Sequence, residues 1–131
     1  MASYTSVPYM GKMHGNHGGI IINVSSLAGV IGGNSLAPVY TASKFGVVGF
    51  SRAACNERLM AENGINICVI CPWVVETRIK VISRQPDDVN SIYLNSRTIM
   101  PAEVANAVVG MIEDNCNGSV KLLMPGRAPI E

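Results

Sequence analysis

Three side chains in the first third of the chain have types and spacings suited to moving a proton. Ser26 lies in Asn23-Val24-Ser25-Ser26-Leu27-Ala28-Gly29, and Tyr40 and Lys44 lie in Tyr40-Thr41-Ala42-Ser43-Lys44. A tyrosine and a lysine four positions apart at the start of a helix project from one face, one turn from each other. A free phenol has a pKa of about 10 and is a poor base at neutral pH. A neighbouring ammonium stabilises the phenolate and lowers that pKa, so Lys44 would make Tyr40 an acid/base near working pH. Tyr40 would then accept the proton of an alcohol as hydride leaves its carbon, and return it in the reverse direction. Ser26 would hydrogen-bond the substrate oxygen and hold it against the phenol.

These groups need a scaffold that brings a strand end beside a helix start. Gly18-Gly19 leads into Ile20-Ile21-Ile22-Asn23-Val24, an apolar run that suits a central parallel strand. A loop of small residues follows, from Ser25 to Ala37, and Pro38 is placed for the first turn of a helix running to about Glu62, where Asn63-Gly64 signals a stop. Within that helix Ala42, Gly46, Gly49 and Ala53 form a stripe of small side chains. Glycine in a helix interior costs roughly 1 kcal/mol against alanine, so the stripe predicts close approach of another element. Ile65 to Cys71 reads as a second strand stopped by Pro72, and Trp73 to about Thr98 as a substrate-side lid containing a short helix. Pro101-Ala102-Glu103 opens a further helix ending near Asn115 to Gly118, Ser119 to Met124 reads as a third strand, and Pro125 to Glu131 as a loose tail. Alternation of this kind predicts an α/β fold with parallel strands and right-handed crossovers. In such a sheet, ligands sit at the carboxyl ends of the strands, where Ser26 is placed.

With 131 residues, 48% of them hydrophobic and 15% charged, the composition fits one domain around a sheet covered on both faces. The net charge of +1 comes with no basic run and no acidic tail, which argues against nucleic acid or an anionic membrane as partner. No stretch reads as a signal peptide or a membrane span, and the expected location is the cytoplasm. Cys68 and Cys71 fall inside a strand, where positions three apart face opposite ways; with no suitably spaced histidine, no metal site is expected, and the cysteines, Cys55 and Cys116 included, read as small core residues.

Ser-Ser-x-x-Gly closing an apolar strand, followed by Tyr-x-Ala-Ser-Lys opening a glycine-containing helix, resembles the short-chain dehydrogenase/reductase family. Within it, Gly18 to Gly29, Pro38 to Phe50 and Ile70-Cys71-Pro72 are most similar to a dehydrogenase of hydroxy-lipids. The resemblance runs from about Tyr9 to Met124 and corresponds to the second half of such an enzyme. It implies a partial Rossmann-like doubly wound parallel sheet: the last three strands and their helices, without the N-terminal nucleotide-binding half. Residues 1–17 then read as the remnant of a preceding helix and turn, 18–124 as the catalytic half and 125–131 as a tail of a single truncated domain. It implies Ser26, Tyr40 and Lys44 as catalytic residues, a secondary alcohol or ketone as substrate, and NAD as cofactor, with NADP left open. Tyr40 and Lys44 would also touch the cofactor, Lys44 through the ribose hydroxyls. Pro72, Val75 and Thr77 of Pro72-Trp73-Val74-Val75-Glu76-Thr77 would hold the nicotinamide carboxamide. Substrate contacts would come from Ser26 and from Ala37, which stands where the hydroxy-lipid enzyme has a polar residue. Trp73 replaces the family's glycine, and one extra residue separates Ser26 from Tyr40.

The family's Thr-Gly-x-x-x-Gly-x-Gly fingerprint is not in this sequence. Gly11, Gly15 and Gly18 precede a strand, whereas a phosphate loop follows one, so they read as a turn. Without a cofactor-gripping half, the strand at 19–24 is expected at an open edge, a setting that favours pairing with another chain. Two further readings therefore stand beside the enzyme. One is a truncated chain docked on a full-length relative, or on itself as a homo-oligomer, through helix 38–62; the other is a fragment without stable structure.

Overall fold

The computed structural model describes residues 2–31, 38–78 and 97–131. Three parallel strands, β1 (Gly19–Val24), β2 (Ile65–Pro72) and β3 (Val120–Leu123), lie in the order β1-β2-β3. Ile22 sits opposite Cys68 and Val24 opposite Ile70, while Val69 faces Val120 and Pro72 faces Leu123. The fold is thus the α/β parallel sheet read from the sequence, with β1 on the edge of the described sheet.

Alternation along β2 divides the core into two layers. Ile65 and Ile67 pack with Val7, Ala54, Cys55 and Met60, and Val69 and Cys71 with Val48, so one face is covered by α1 (Ala2–Thr5), α2 (Val7–Met10), α3 (Pro38–Ala54) and α4 (Arg58–Glu62). Cys68 and Ile70 point the other way, into a cluster with Ile99, Met111 and Leu123 under α5 (Pro101–Glu113). Full burial of a side chain such as Ile70 or Met111 stabilises the fold by roughly 1.5–3 kcal/mol. Helices on both faces are what the doubly wound reading requires.

Pro72 extends β2 one residue past the expected stop. The Val69 and Trp73 amides donate to Ser119 and Leu123 of the β3 side, while the Ile70 carbonyl accepts from Ser25. Pro72 therefore turns its missing N–H toward the β1 side, beyond the point where β1 ends, and no ladder bond is lost.

Three expectations need correction. The helix expected over 38–62 is two helices, broken at Cys55 to Glu57. There the Cys55 thiol and the Asn56 amide both donate to the Arg52 carbonyl, competing with the backbone for it, and Glu57 is extended with its carboxylate accepting from the Tyr4 hydroxyl at 2.7 Å. The tail is not loose: Ile130 and Leu122 exchange backbone hydrogen bonds in an antiparallel bridge, and Glu131 accepts from Ser119 and pairs with Lys121. Cys68 and Cys116 are not plain core thiols but form a disulfide linking β2 to the turn after α5, with Cα atoms 6.6 Å apart. Cys71 does diverge from Cys68, onto the α3 face.

The glycine-bearing turn before β1 is as read. The chain passes Lys12–His14 and turns through Gly15 and Gly18, both at positive φ. At Gly18 a side chain would also collide with the Gly64 carbonyl.

Candidate active site

Ser26 stands two residues past the end of β1, in extended backbone, and caps a short 3₁₀ turn over Leu27–Gly29 by accepting from the Ala28 amide at 3.3 Å. Its neighbour Ser25 is buried, and its hydroxyl donates to the Lys44 carbonyl at 2.9 Å. Lys44 in turn donates from Nζ to the Val24 carbonyl at 3.3 Å. The end of β1 and the first turns of α3 are thereby buckled together twice. Gly29 completes the contact, because a Cβ there would come within 2.6 Å of Ser25 Oγ and 2.7 Å of the Lys44 carbonyl oxygen. The glycine of Ser-Ser-x-x-Gly is required by close approach of the turn to the helix.

The Lys44 ammonium stands 5.7 Å from the centroid of the Tyr40 ring, within cation–π range. Tyr40 is half exposed at the site's rim. The structure therefore brings Tyr40 and Lys44 together and fastens Lys44 to the strand end that leads into Ser26. No hydrogen bond joins Ser26 to Tyr40 among the described residues, and Ser26 Oγ is engaged by its own turn.

The segment after β2 is held by a short bridge that leaves one backbone edge open. The Ile99 amide donates to the Val74 carbonyl and the Glu76 amide to the Ile99 carbonyl, a parallel bridge centred on Val75. Such a bridge turns the amide and carbonyl of Val75 itself to the opposite side, where no described backbone group meets them. The Thr77 side chain is exposed. These groups fit the carboxamide of a nicotinamide, the role the resemblance gives to Val75 and Thr77. Trp73 donates from Nε1 to the Arg97 carbonyl at 3.1 Å, so the indole is tied down where the family has a glycine. Ala37 and most of the expected lid lie outside the described residues.

Sequence reasoning gave roles to Ser26, Tyr40 and Lys44 but none to the residues that hold them. Ser25 and Gly29 are two, and Asn23 is a third: its amide donates to the buried Ser51 hydroxyl at 2.9 Å, pinning the last turn of α3 to β1. The signal that could have found Asn23 was a polar residue inside an apolar strand. Burial pushes the Cys71 thiol up from its ordinary pKa, against the opposing pull of hydrogen bonds from Ser25 and Ser26 and the Lys44 charge. Gly46 and Gly49 face open space, so the close neighbour that the small stripe predicts is not among the described residues.

Fold and site define a class: the chain belongs to the short-chain dehydrogenase family, whose sequence profile, described as short chain dehydrogenase, matches residues 2–88. Among individual relatives it is similar to 15-hydroxyprostaglandin dehydrogenase, NAD(+), of Mus musculus, 35% identical over 129 residues that cover 90% of this chain and 48% of that enzyme. The Homo sapiens enzyme of the same name is likewise 35% identical, covering 90% and 48%. The chain thus spans about half the length of the curated relatives it matches. A crystal structure of a Thermus thermophilus protein shares the fold at a TM-score of 0.74 and 23% identity, over 95% of this chain and 53% of that one.

Proposed function

We propose that this chain carries the proton-handling half of an NAD-dependent dehydrogenase of secondary alcohols, hydroxy-lipids among them. The observation that carries this reading is the Lys44 ammonium, pinned by the Val24 carbonyl and set over the Tyr40 ring at the mouth of a parallel sheet. A bound nicotinamide supplies the hydride acceptor. Tyr40 takes the hydroxyl proton of the alcohol, Lys44 holds its charge at a fixed place beside the phenol, and Ser26 orients the substrate oxygen. Ser26 must release the Ala28 amide, or share its lone pairs, to do so. The Val75 backbone and Thr77 hold the carboxamide beside Pro72, and NADP stands as the alternative to NAD. A cytoplasmic location belongs to the same reading.

The test is a titration of the purified chain with NAD and with nicotinamide mononucleotide. Saturable binding of both is expected, lost in Thr77→Ala combined with Lys44→Met, with no appreciable NADH formation from simple secondary alcohols. Absence of any nicotinamide binding would sink the proposal.

A second reading is favoured by the open stripe at Ala42, Gly46, Gly49 and Ala53, all exposed on α3. It makes the chain a non-catalytic partner that docks this helix on a full-length relative, or on a second copy as a homo-oligomer. Co-expression with such a relative followed by size-exclusion chromatography decides it; separate elution ends that reading.

A further inference from the structure

The turn after α5 meets β2 through two kinds of bond. Cys116 is joined covalently to Cys68. Beside that bond the Asn66 side chain donates to Asn115 at 3.1 Å, the Ile67 amide donates to Asn117 Oδ1 at 2.9 Å, and the Gly118 amide donates to the Ile67 carbonyl at 2.8 Å. The two sulfurs differ in access. Cys68 is fully buried among Ile70, Ile99, Met111 and Leu123, whereas Cys116 is half-buried at the turn. The other two cysteines are buried and unbridged: Cys71 lies on the α3 face, and the Cys55 thiol donates to the Arg52 carbonyl.

α5 spans 13 residues, about 20 Å at a rise of about 1.5 Å per residue. Its carboxyl end leads into Cys116. Its amino end follows Ile99, which bonds to the Val74 carbonyl and the Glu76 amide in the bridge around Val75. Between these ends Val104, Ala107, Val108 and Met111 form an apolar seat on the sheet. The helix is thus a strut from the sulfur pair to the segment proposed to hold the nicotinamide carboxamide. We infer that Cys68 and Cys116 form a redox-sensitive clasp that regulates the Val75 segment through α5. Closing uses a low-molecular-weight disulfide such as oxidised glutathione. The accessible Cys116 thiolate attacks one of its sulfurs and releases one glutathione; Cys68 then attacks the Cys116 sulfur of the mixed disulfide and releases the second. The protein gives up two electrons, and the two protons lost from its thiols end on the two glutathione thiols. In the open form the hydrogen bonds of the turn keep the thiols adjacent, so closure is an intramolecular step. Those bonds open one at a time and a covalent bond does not, so the open clasp lets α5 shift on its seat and loosens the Ile99 bridge. Regulation of nicotinamide binding rests on the dehydrogenase reading; the coupling of clasp to bridge does not.

Trp73 is the only tryptophan in the sequence, and its Nε1 donates to the carbonyl of Arg97, two residues before Ile99, so its emission reports the bridge. The full chain is equilibrated in glutathione buffers of graded ratio, its free thiols are counted with a maleimide, and emission is read well below melting. Two free thiols are expected at the oxidised end and all four at the reduced end. Opening should lower the melting temperature by about 10 °C, since the bond joins residues 48 positions apart. It should also move Trp73 emission to the red and weaken nicotinamide mononucleotide binding about threefold. Cys116→Ser should match the open form in every buffer, and Cys55→Ser should switch as the unaltered chain does. A bond that stays closed in excess reduced glutathione, an emission that opening leaves unmoved, equal binding by the two forms, or redox sensitivity retained in Cys116→Ser would each overturn the inference. Both forms of the unaltered chain carry the main comparison, so it does not depend on the folding of a variant. Failure of either form to bind nicotinamide mononucleotide, with the emission still following the clasp, removes the dehydrogenase reading alone.

Discussion

On the α3 face of the sheet, polar side chains cross the interface: Asn23 donates to Ser51, Ser25 to the Lys44 carbonyl, and Lys44 to the Val24 carbonyl. On the α5 face the contacts are apolar, with Val104, Ala107, Val108 and Met111 set against Cys68, Ile70 and Leu123. Among the described residues, the side-chain hydrogen bonds that reach β2 on that side come from the turn beyond the helix, where Asn66 donates to Asn115 and the Asn117 side chain accepts from Ile67. Apolar packing fixes how closely a helix approaches a sheet but only loosely fixes its rotation and slide. Directional bonds fix both. The helix that carries Tyr40 and Lys44 is the one held by directional bonds, and the helix without a reacting group is held by packing.

The largest expected effect probes the packed face. Met111→Ala should cost about 2–5 kcal/mol of stability in a denaturant titration, because the site is fully buried and a cavity remains. Gly29→Ala should cost about 1–3 kcal/mol, since its new methyl meets backbone at Lys44 and must push the turn off α3. It should also weaken nicotinamide binding, which Met111→Ala at matched stability should not. Ser25→Ala comes next, at about 1 kcal/mol, by removing the side-chain bond that ties the end of β1 to the Lys44 carbonyl. If its cost matches that of an exposed serine, the contrast between the two faces fails. The smallest effect is in the pH dependence. The folded chain holds the Cys71 proton above the thiol's ordinary value of 9.0, whereas the unfolded chain releases it there. The unfolded state then binds fewer protons, so stability should fall as pH rises past about 9.0, and Cys71→Ala should flatten that fall. Tyr4, raised chiefly by its hydrogen bond to Glu57, acts with the same sign from 10.0 upward, so the comparison is read below that pH.

Much of this was legible in the residues, and the limits have a physical pattern. Ile20 to Val24, Ile65 to Cys71 and the Pro38 and Pro101 helix starts follow from local propensity and punctuation, and each element is present. The Tyr40–Lys44 pair was legible because helical spacing alone puts both on one face. What escaped depends on partners distant in sequence. The break at Cys55 to Glu57 involves Tyr4, 53 residues from Glu57; the tail is held by β3; and Cys68 meets Cys116 across 48 positions. Ser25 and Gly29 sat inside the motif already recognised, yet their roles required knowing that the Lys44 carbonyl lies against them.

The bond between Cys68 and Cys116 makes a covalent ring of the chain between them, and that ring includes both the Pro72–Thr77 segment and all of α5. In the oxidised protein, one peptide-bond cut anywhere within the ring opens it without releasing a piece. A protease-nicked sample should therefore run as one band on a non-reducing gel and as two after thiol treatment.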